Sequence, residues 1–335
     1  MPHCSQLCPC DTFFQSQSGL LPYWSGGPLH TLRGFLMNSI ISYPDRGPWG
    51  DSKWRGNCSG HVLKDLFLQL KPKTFVDCMV GSGTSVEVAN EMGILAKGLD
   101  LHQGFNAVND SILNAVGYQS DLVFSHPPYG SMIEYAGSVW KNATPAQLAA
   151  DLSRCASDTE FHEKMQAVLL NMRDATLPGQ HYATLIGDYR QNGRYVSYQA
   201  EMIARMPSSE LAAVIIKAQH NCLSDSRTYA NLKYPRIAHE TLILWRKTSM
   251  PLIVLLGKVA REQAERVRAT WKAVINLVLQ RLGGKANLKA IYDEVARAAP
   301  EKIAQNPSWQ AKVRQVLNST TDRFASSERG VWQFA

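Results

Sequence analysis

Between Thr74 and Ser125 short β-rich runs and helical runs alternate, and this alternation constrains the fold more than any other stretch of the 335 residues. Thr74–Met79 reads as a buried strand, and Thr84–Met92 as a helix stopped by Gly93. Ile94–Leu101 is a second strand, a polar helix follows at about Asn106–Val116, and Asp121–Ser125 is a third strand. Strand, helix, strand, helix, strand at this spacing predicts a parallel α/β sheet. Farther on, helices are expected at about Pro145–Cys155 and Asp158–Ala175. Strands His181–Ile186, Leu211–Ala218 and Thr241–Trp245 complete the sheet. Upstream, Val62, Leu63, Leu66, Phe67 and Leu70 have the spacing of one helix face over His61–Leu70. Open α/β sheets bind ligands outside the carboxyl ends of their strands, so the turns after these runs are where chemistry is expected.

The first such turn is Asp77-Cys-Met79-Val-Gly81-Ser-Gly83-Thr84. Two glycines let the backbone turn sharply and approach a ligand closely. A dinucleotide fingerprint wants a third Gly or Ala three residues after the second, and this chain has Val86 there. A phosphate loop wants Gly-Lys-Ser/Thr, and the turn has no lysine. An acidic Asp77 suits a cofactor with a cationic amino group rather than a polyphosphate. Asp100, ending the next strand, can accept hydrogen bonds from both hydroxyls of a ribose, or can simply cap a helix. The third turn is Ser125-His126-Pro127-Pro128-Tyr129-Gly130. Two prolines fix φ and lack N–H groups, so a carbonyl among them points outward in a fixed direction. The following aromatic ring can stack on a flat base. An exocyclic amino group needs acceptors that draw its lone pair out of ring conjugation, and a face that holds the ring.

In this order the motifs resemble those of the amino-methylating DNA methyltransferases of bacteria and mobile elements. Asp77 to Thr84 is similar to their cofactor motif Asp-Pro-Phe-x-Gly-Ser-Gly-Thr, and His126-Pro-Pro-Tyr129 to their catalytic motif Asp/Asn/Ser-Pro-Pro-Tyr. The resemblance covers roughly residues 43–247. It implies a Rossmann-like class I methyltransferase sheet with S-adenosyl-L-methionine as cofactor. Asp77, Met79, Gly81, Gly83, Thr84, Asp100, Leu101 and Ser125 would hold that cofactor, with Arg55 or Arg46 on its carboxylate. His126, Pro127, Pro128 and Tyr129 would hold and activate a flipped base for direct methyl transfer, with neither a metal nor a covalent enzyme intermediate. Adenine N6 is the favoured acceptor, because the cofactor motif precedes the catalytic one and Gly130 trails it. Cytosine N4 is the alternative. Cytosine-C5 chemistry would need a cysteine after the proline, and neither Pro127 nor Pro128 is followed by one.

One position departs from the family: His126 stands where Asp, Asn or Ser precedes Pro-Pro. A neutral imidazole has one acceptor nitrogen and a protonated one has none. Activity is therefore expected to fall as pH drops through a His126 pKa of about 6.5. Ser125 would supply the oxygen if the chain were shifted by one residue. A DNA-binding regulator with an inactive methyltransferase body is the reading from another class. Glu134 and Tyr135 are candidates for shaping the base pocket. Gly187-Asp188-Tyr-Arg190 reads equally as part of the site or as a helix cap with a surface arginine. His102, His220 and His239 have no partners at ligand spacing and are not read as metal ligands.

The net charge of +7 is concentrated at one end. From Lys258 to Ala335 there are 14 Lys/Arg and 7 Asp/Glu, which leaves the rest of the chain balanced. A basic end on a neutral body is the electrostatic footprint of a nucleic-acid-binding module. Helices Val259–Leu282, Leu288–Ala298 and Pro307–Ser319, then a hairpin from Phe324 to Phe334, follow winged-helix order. The segment resembles winged-helix DNA-binding domains through Leu288, Ile291, Tyr292 and Val295, through Trp309, Val313, Arg314 and Leu317, and through Arg329-Gly-Val-Trp332 in the wing. This implies double-stranded DNA as partner, with Lys312, Arg314, Arg323 and Arg329 on phosphates. The expected organisation is an N-terminal extension over 1–42, a methyltransferase domain over 43–250 and a winged helix over 258–335. Seven irregularly spaced cysteines give no disulfide framework. His3, Cys4, Cys8 and Cys10 cluster but lack the second pair of a structural zinc site, so no metal is assigned. No apolar run reaches the roughly 18–20 residues of a membrane span, and no signal peptide is evident, so the expectation is cytoplasmic with no membrane partner. Homodimerisation and a restriction partner are left open.

Overall fold

The apolar residues of the central strands alternate between two faces, and the architecture follows from covering both. The computed structural model describes residues 36–54, 56–130, 143–191, 193–220 and 233–335. Strand β1 (Ile40–Ser42) and helix α1 (Gly60–Leu70) lead into β2 (Thr74–Asp77), α2 (Thr84–Glu91), β3 (Leu95–Gly98), α3 (Ile112–Val116) and β4 (Ser120–Ser125). Then come α4 (Pro145–Ala150), α5 (Asp158–Asp174), β5 (Thr176–Ile186), the hairpin β6 (Tyr189–Gln191) and β7 (Arg194–Val196), α6 (Tyr198–Arg205), β8 (Leu211–Ala218) and β9 (His239–Arg246). The main sheet has seven strands in the order β1-β8-β9-β5-β4-β2-β3. β3, β2, β4 and β5 pair in parallel, and β1 is parallel to β8. β9 alone is antiparallel, to both β5 and β8. This is the Rossmann-like α/β sheet predicted from the sequence, with one reversed strand that the alternation of elements did not specify.

Successive side chains of a strand point to opposite faces. On β4, Leu122 and Phe124 join Leu63, Leu66 and Val88 of α1 and α2 in one core. Val123 joins Met165, Val168 and Leu169 of α5 in the other. On β9, Leu242 and Leu244 belong to the first core, and Ile243 and Trp245 to the second. Each such side chain contributes about 1.5–3 kcal/mol by leaving water.

Several boundaries differ from the sequence reading. Ile40–Ser42, assigned to the extension, is the edge strand of the sheet, with Ile41 buried. A three-residue strand is too short for its alternation to be read. The helix expected from Asn106 begins only at Ile112. Asn106 Oδ1 accepts from the Val108 N–H at 3.0 Å, and Asp110 Oδ2 accepts from the Asn106 N–H at 2.8 Å, so short polar side chains capture the backbone that a helix would use. Asp188 accepts from the Gln199 N–H at 3.1 Å and from the hydroxyls of Tyr195 and Ser197, which makes it an anchor for the start of α6. His3, Cys4, Cys8, Cys10, Glu134 and Tyr135 lie outside the described residues. Among the described residues, no helix is long and apolar enough to cross a membrane.

The basic end begins with α7 (Leu252–Arg281), which starts before the expected Val259, and continues through β10 (Lys285–Asn287), α8 (Leu288–Ala298), α9 (Pro300–Ala304), α10 (Trp309–Ser319), β11 (Phe324–Glu328) and β12 (Val331–Phe334). Trp271, Ile275, Val278 and Leu279 form one face of α7 and pack with Ile291, Val295, Val313, Leu317 and Phe324 in a separate core. The small sheet is antiparallel in the order β10-β12-β11.

A buried ion pair ties α5 to the segment entering β8. Arg173 donates from Nε and Nη2 to the two Glu210 oxygens at 2.9 and 2.8 Å. Tyr182 and Thr248 hydroxyls and the Thr248 N–H also donate to Glu210. Removing one partner of such a pair leaves an uncompensated charge. Glu210→Gln is expected to lower stability by about 3 kcal/mol, read as a lower urea midpoint with unchanged slope.

Candidate functional site

The carboxyl ends of β2, β3 and β4 open onto one cleft. Asp77 is the last residue of β2, and Gly81 and Gly83 follow with φ of +51° and +94°, which residues other than glycine rarely adopt. A Cβ on Gly81 would stand 2.8 Å from Trp54 Nε1, so a side chain there would collide with the indole lining the cleft. Gly83 sits at the N-cap of α2 and serves the turn, outside the cleft wall.

Asp77 is buried, and its oxygens accept from the Met79 N–H at 2.9 Å and the Ser85 hydroxyl at 2.5 Å. Burial disfavours its charge and pushes the carboxyl up to about 7, against the pull of those two bonds. Asp100 accepts from the Gly81 N–H at 2.8 Å and from His102 Nδ1 at 2.6 Å. The bond from Asp100 in turn raises the His102 pKa. Asp100 therefore braces the glycine turn as well as facing the cleft. Met79, Thr84 and Leu101 also line the wall.

His126 follows β4, is half-buried and lines the cleft with Pro128. Burial pushes its pKa down to about 4. The expected loss of acceptor capacity near pH 6.5 is thereby corrected, because the folded chain keeps this imidazole neutral well below that pH. Pro127 is buried and does not contribute to the cleft lining. Tyr129 is only 6% exposed, and a Cβ on Gly187 would meet its ring at 2.6 Å. Its hydroxyl donates to Glu240 and lies 3.0 Å from His126 Nε2. The stacking role expected of Tyr129 is corrected by this packing: the ring is held beneath the turn and links His126 to Glu240. Ser125 is also corrected. It is fully buried, its hydroxyl pairs with Thr184 at 2.8 Å, and it faces β5 rather than the cleft.

Arg55 lies outside the described residues, and Arg46 donates to the Trp49 carbonyl at 2.7 Å. The loop carrying them is anchored by Trp49, whose Nε1 donates to Glu91 at 2.7 Å, and by Asn57, which accepts from the Thr84 hydroxyl at 2.8 Å. The sequence reading missed Trp54 and the pair Lys217 and Glu240. Their signals were a tryptophan in a glycine-rich loop and two charges inside otherwise apolar strands.

At the basic end, Lys312 bonds Gln315, Arg314 donates to the Tyr292 hydroxyl, and Arg323 donates to Asn276 while its guanidinium lies over the Phe334 ring. Arg329 is exposed in the turn between β11 and β12.

No protein-family model matches the chain, and no curated protein matches it. Among solved structures it is similar to TrmN from Thermus thermophilus, with 12% identity and TM-score 0.36, over 58% of this chain and 50% of that one. It is similar to an S-adenosylmethionine-dependent methyltransferase from Clostridium acetobutylicum, with 9% identity and TM-score 0.35, over 59% of this chain and 94% of that one. A third is a protein of Thermus thermophilus, provisionally described as a DNA modification methylase and complexed with S-adenosyl-L-methionine. It has 15% identity and TM-score 0.26, over 44% of this chain and 54% of that one. This chain thus spans about half the length of the first and third.

Asp77 has a pH signature. Its folded pKa lies above its ordinary value of 3.8, so its contribution to stability is fully present below pH 3.8 and is lost as pH rises through about 7. Asp77→Asn should raise the melting temperature relative to the parent at pH 8, with the difference shrinking towards pH 5. Thermal unfolding across that range measures it.

Proposed function

We propose that this chain transfers a methyl group from S-adenosyl-L-methionine to an exocyclic amino nitrogen of a base in double-stranded DNA, with adenine N6 favoured over cytosine N4. The observation that carries the reading is the composition of one cleft wall. Asp77, Gly81, Asp100, His126 and Pro128 come from three separate strand ends and line it together. The residues fit the cofactor. Gly81 leaves room beside Trp54, Asp77 suits a cationic amino group, and Asp100 suits ribose hydroxyls. Leu101, Phe105 and Val108 offer an apolar wall for a purine. The Rossmann-like sheet agrees with the class I methyltransferase fold that the motifs imply.

When bound, the cofactor would supply a methyl carbon on a sulfonium: the amino nitrogen's lone pair would become the N–C bond, and the electrons of the broken C–S bond would stay on sulfur. The chain's task is to direct the lone pair and take the surplus proton. His126 accepts a hydrogen bond from the amino group through a neutral ring nitrogen, which draws the lone pair towards reaction. The methylated nitrogen then releases one hydrogen as a proton to His126, and from there it passes to solvent.

The basic end is read as a winged helix over residues 258–335, supported by the order α7, α8, α10, β11, β12 and by the separate core. Its charges would hold DNA phosphates while the flipped base enters the cleft. A DNA-binding regulator is the second reading. The packing of Tyr129 away from the cleft favours it.

Three measurements follow. Purified chain with tritium-labelled cofactor should label duplex DNA, and long-read mapping should identify the base and site. Cofactor binding without transfer to any DNA or RNA supports the regulator instead. His126→Ala should lower kcat by about 10²-fold, and the parent's kcat should show no inflection from His126 between about pH 5.5 and 8, since the acceptor is lost only as pH falls through about 4. Replacing Lys312 or Arg329 by alanine should reduce the slope of log affinity against log salt by about 1 each, measured by fluorescence anisotropy on duplex DNA. An unchanged slope would remove that residue from the phosphate contacts.

A further inference from the structure

A buried run of polar groups leads from the cleft into the sheet. Lys217 and Glu240 face one another in the antiparallel register of β8 and β9, and both are buried. Lys217 Nζ donates to one Glu240 oxygen and the Tyr129 hydroxyl donates to the other. Tyr129 in turn lies 3.0 Å from His126 Nε2. A buried ion pair gives little net stability compared with well-packed apolar residues. Strands as apolar as β8 and β9 therefore have no packing reason to hold one here.

The hydrogen positions follow from chemistry. Burial raises the Glu240 carboxyl, but Lys217, His126 and the Tyr129 hydrogen bond together outweigh it and the group is held down at about 2, hence ionised at neutral pH. An ionised carboxylate only accepts, so the single phenol hydrogen goes to Glu240. The phenol oxygen is then an acceptor towards His126, and Nε2 must carry the ring hydrogen. A neutral imidazole has one N–H, so Nδ1 keeps its lone pair.

We infer that Lys217, Glu240 and Tyr129 are positioning residues that hold His126 as the Nε2–H tautomer and so leave Nδ1 as the acceptor for the target amino group. The acceptor role rests on the methyl-transfer reading above; the tautomer does not. When Nδ1 takes the proton released by the methylated nitrogen, the resulting imidazolium is compensated by Glu240 through Tyr129. No bond within the relay has to break for this.

The test joins nitrogen-15 NMR of the full chain with kinetics. Signals of His126 are assigned by their loss in His126→Ala. At pH 7 the parent should show a protonated Nε2 and an unprotonated Nδ1. Glu240→Gln keeps the shape but lets the amide donate to the phenol oxygen, which frees the phenol hydrogen for Nε2. The tautomer should then move to Nδ1–H, and kcat should fall by about 10²-fold with cofactor affinity and KM unchanged. Tyr129→Phe removes the link without adding a donor, and should give a mixture of tautomers with a smaller fall. It carries the test if Glu240→Gln does not fold. The pair Lys217→Met with Glu240→Gln leaves no lone buried charge and should behave as Glu240→Gln. An Nδ1–H tautomer in the parent, or a tautomer unmoved by both Glu240→Gln and Tyr129→Phe, overturns the inference. If the parent methylates DNA but has the wrong tautomer, the relay falls alone. If the tautomer behaves as expected but the parent methylates no nucleic acid, the methyl-transfer reading falls and the acceptor role with it.

Discussion

A sheet covered on both faces leaves almost no place for a polar side chain except at its ends. Leu122, Phe124, Val123, Ile243 and Trp245 show this requirement on the central strands, where successive pleat positions go to one core or the other. The groups of the cleft accordingly stand where strands stop. Asp77 closes β2, Asp100 lies just past β3, and His126 just past β4. Parallel pairing brings those three ends to one edge, so residues far apart in sequence share a wall without any long-range signal having specified it. Of the charges that enter the sheet or its flanks, Arg173 with Glu210 and Lys217 with Glu240 do so as pairs with further hydrogen bonds.

How much was legible in the sequence depended on how local the cause was. Leu211–Ala218 was read to the residue because the β-branched run Val214-Ile215-Ile216 sits in an apolar segment of strand length. The helix from Leu288 was read equally well, with Asn287 at its cap. The segment after Asn106 was misread because apolar spacing was present but Asx side chains had captured the backbone. β1, β10 and the β6–β7 hairpin were missed for a different reason: three residues carry too little pattern. The reversal of β9 is a matter of topology that no local run contains.

The candidate site divides along the same line. The turn after β2 was legible because Gly81 and Gly83 stand at positive φ, and Asp77 and Asp100 lie at or just past strand ends. Ser125 and Tyr129 were misassigned because motif position was taken for side-chain direction. Ser125 ends β4 and Tyr129 follows it closely, so both are claimed by neighbours, Thr184 and Glu240, that only the sheet order brings near. His126 differs from the carboxylate or amide of the resembling motif in a way that matters. An oxygen of Asp or Asn accepts in any protonation or flip that keeps it in place, whereas an imidazole must first be told which nitrogen carries hydrogen.

α7 runs for 30 residues, about 45 Å, with Leu255 and Val259 buried near its start and Trp271, Ile275, Val278 and Leu279 buried near its end. Val267 between them is 55% exposed. Such a span acts as a ruler with a phase. One inserted residue would advance everything beyond it by about 1.5 Å and turn it by about 100°, whereas seven would lengthen the span by roughly 10 Å and nearly restore the heading. The direction in which the basic end faces is therefore written into the residue count of a single helix, independently of any side chain that touches a ligand.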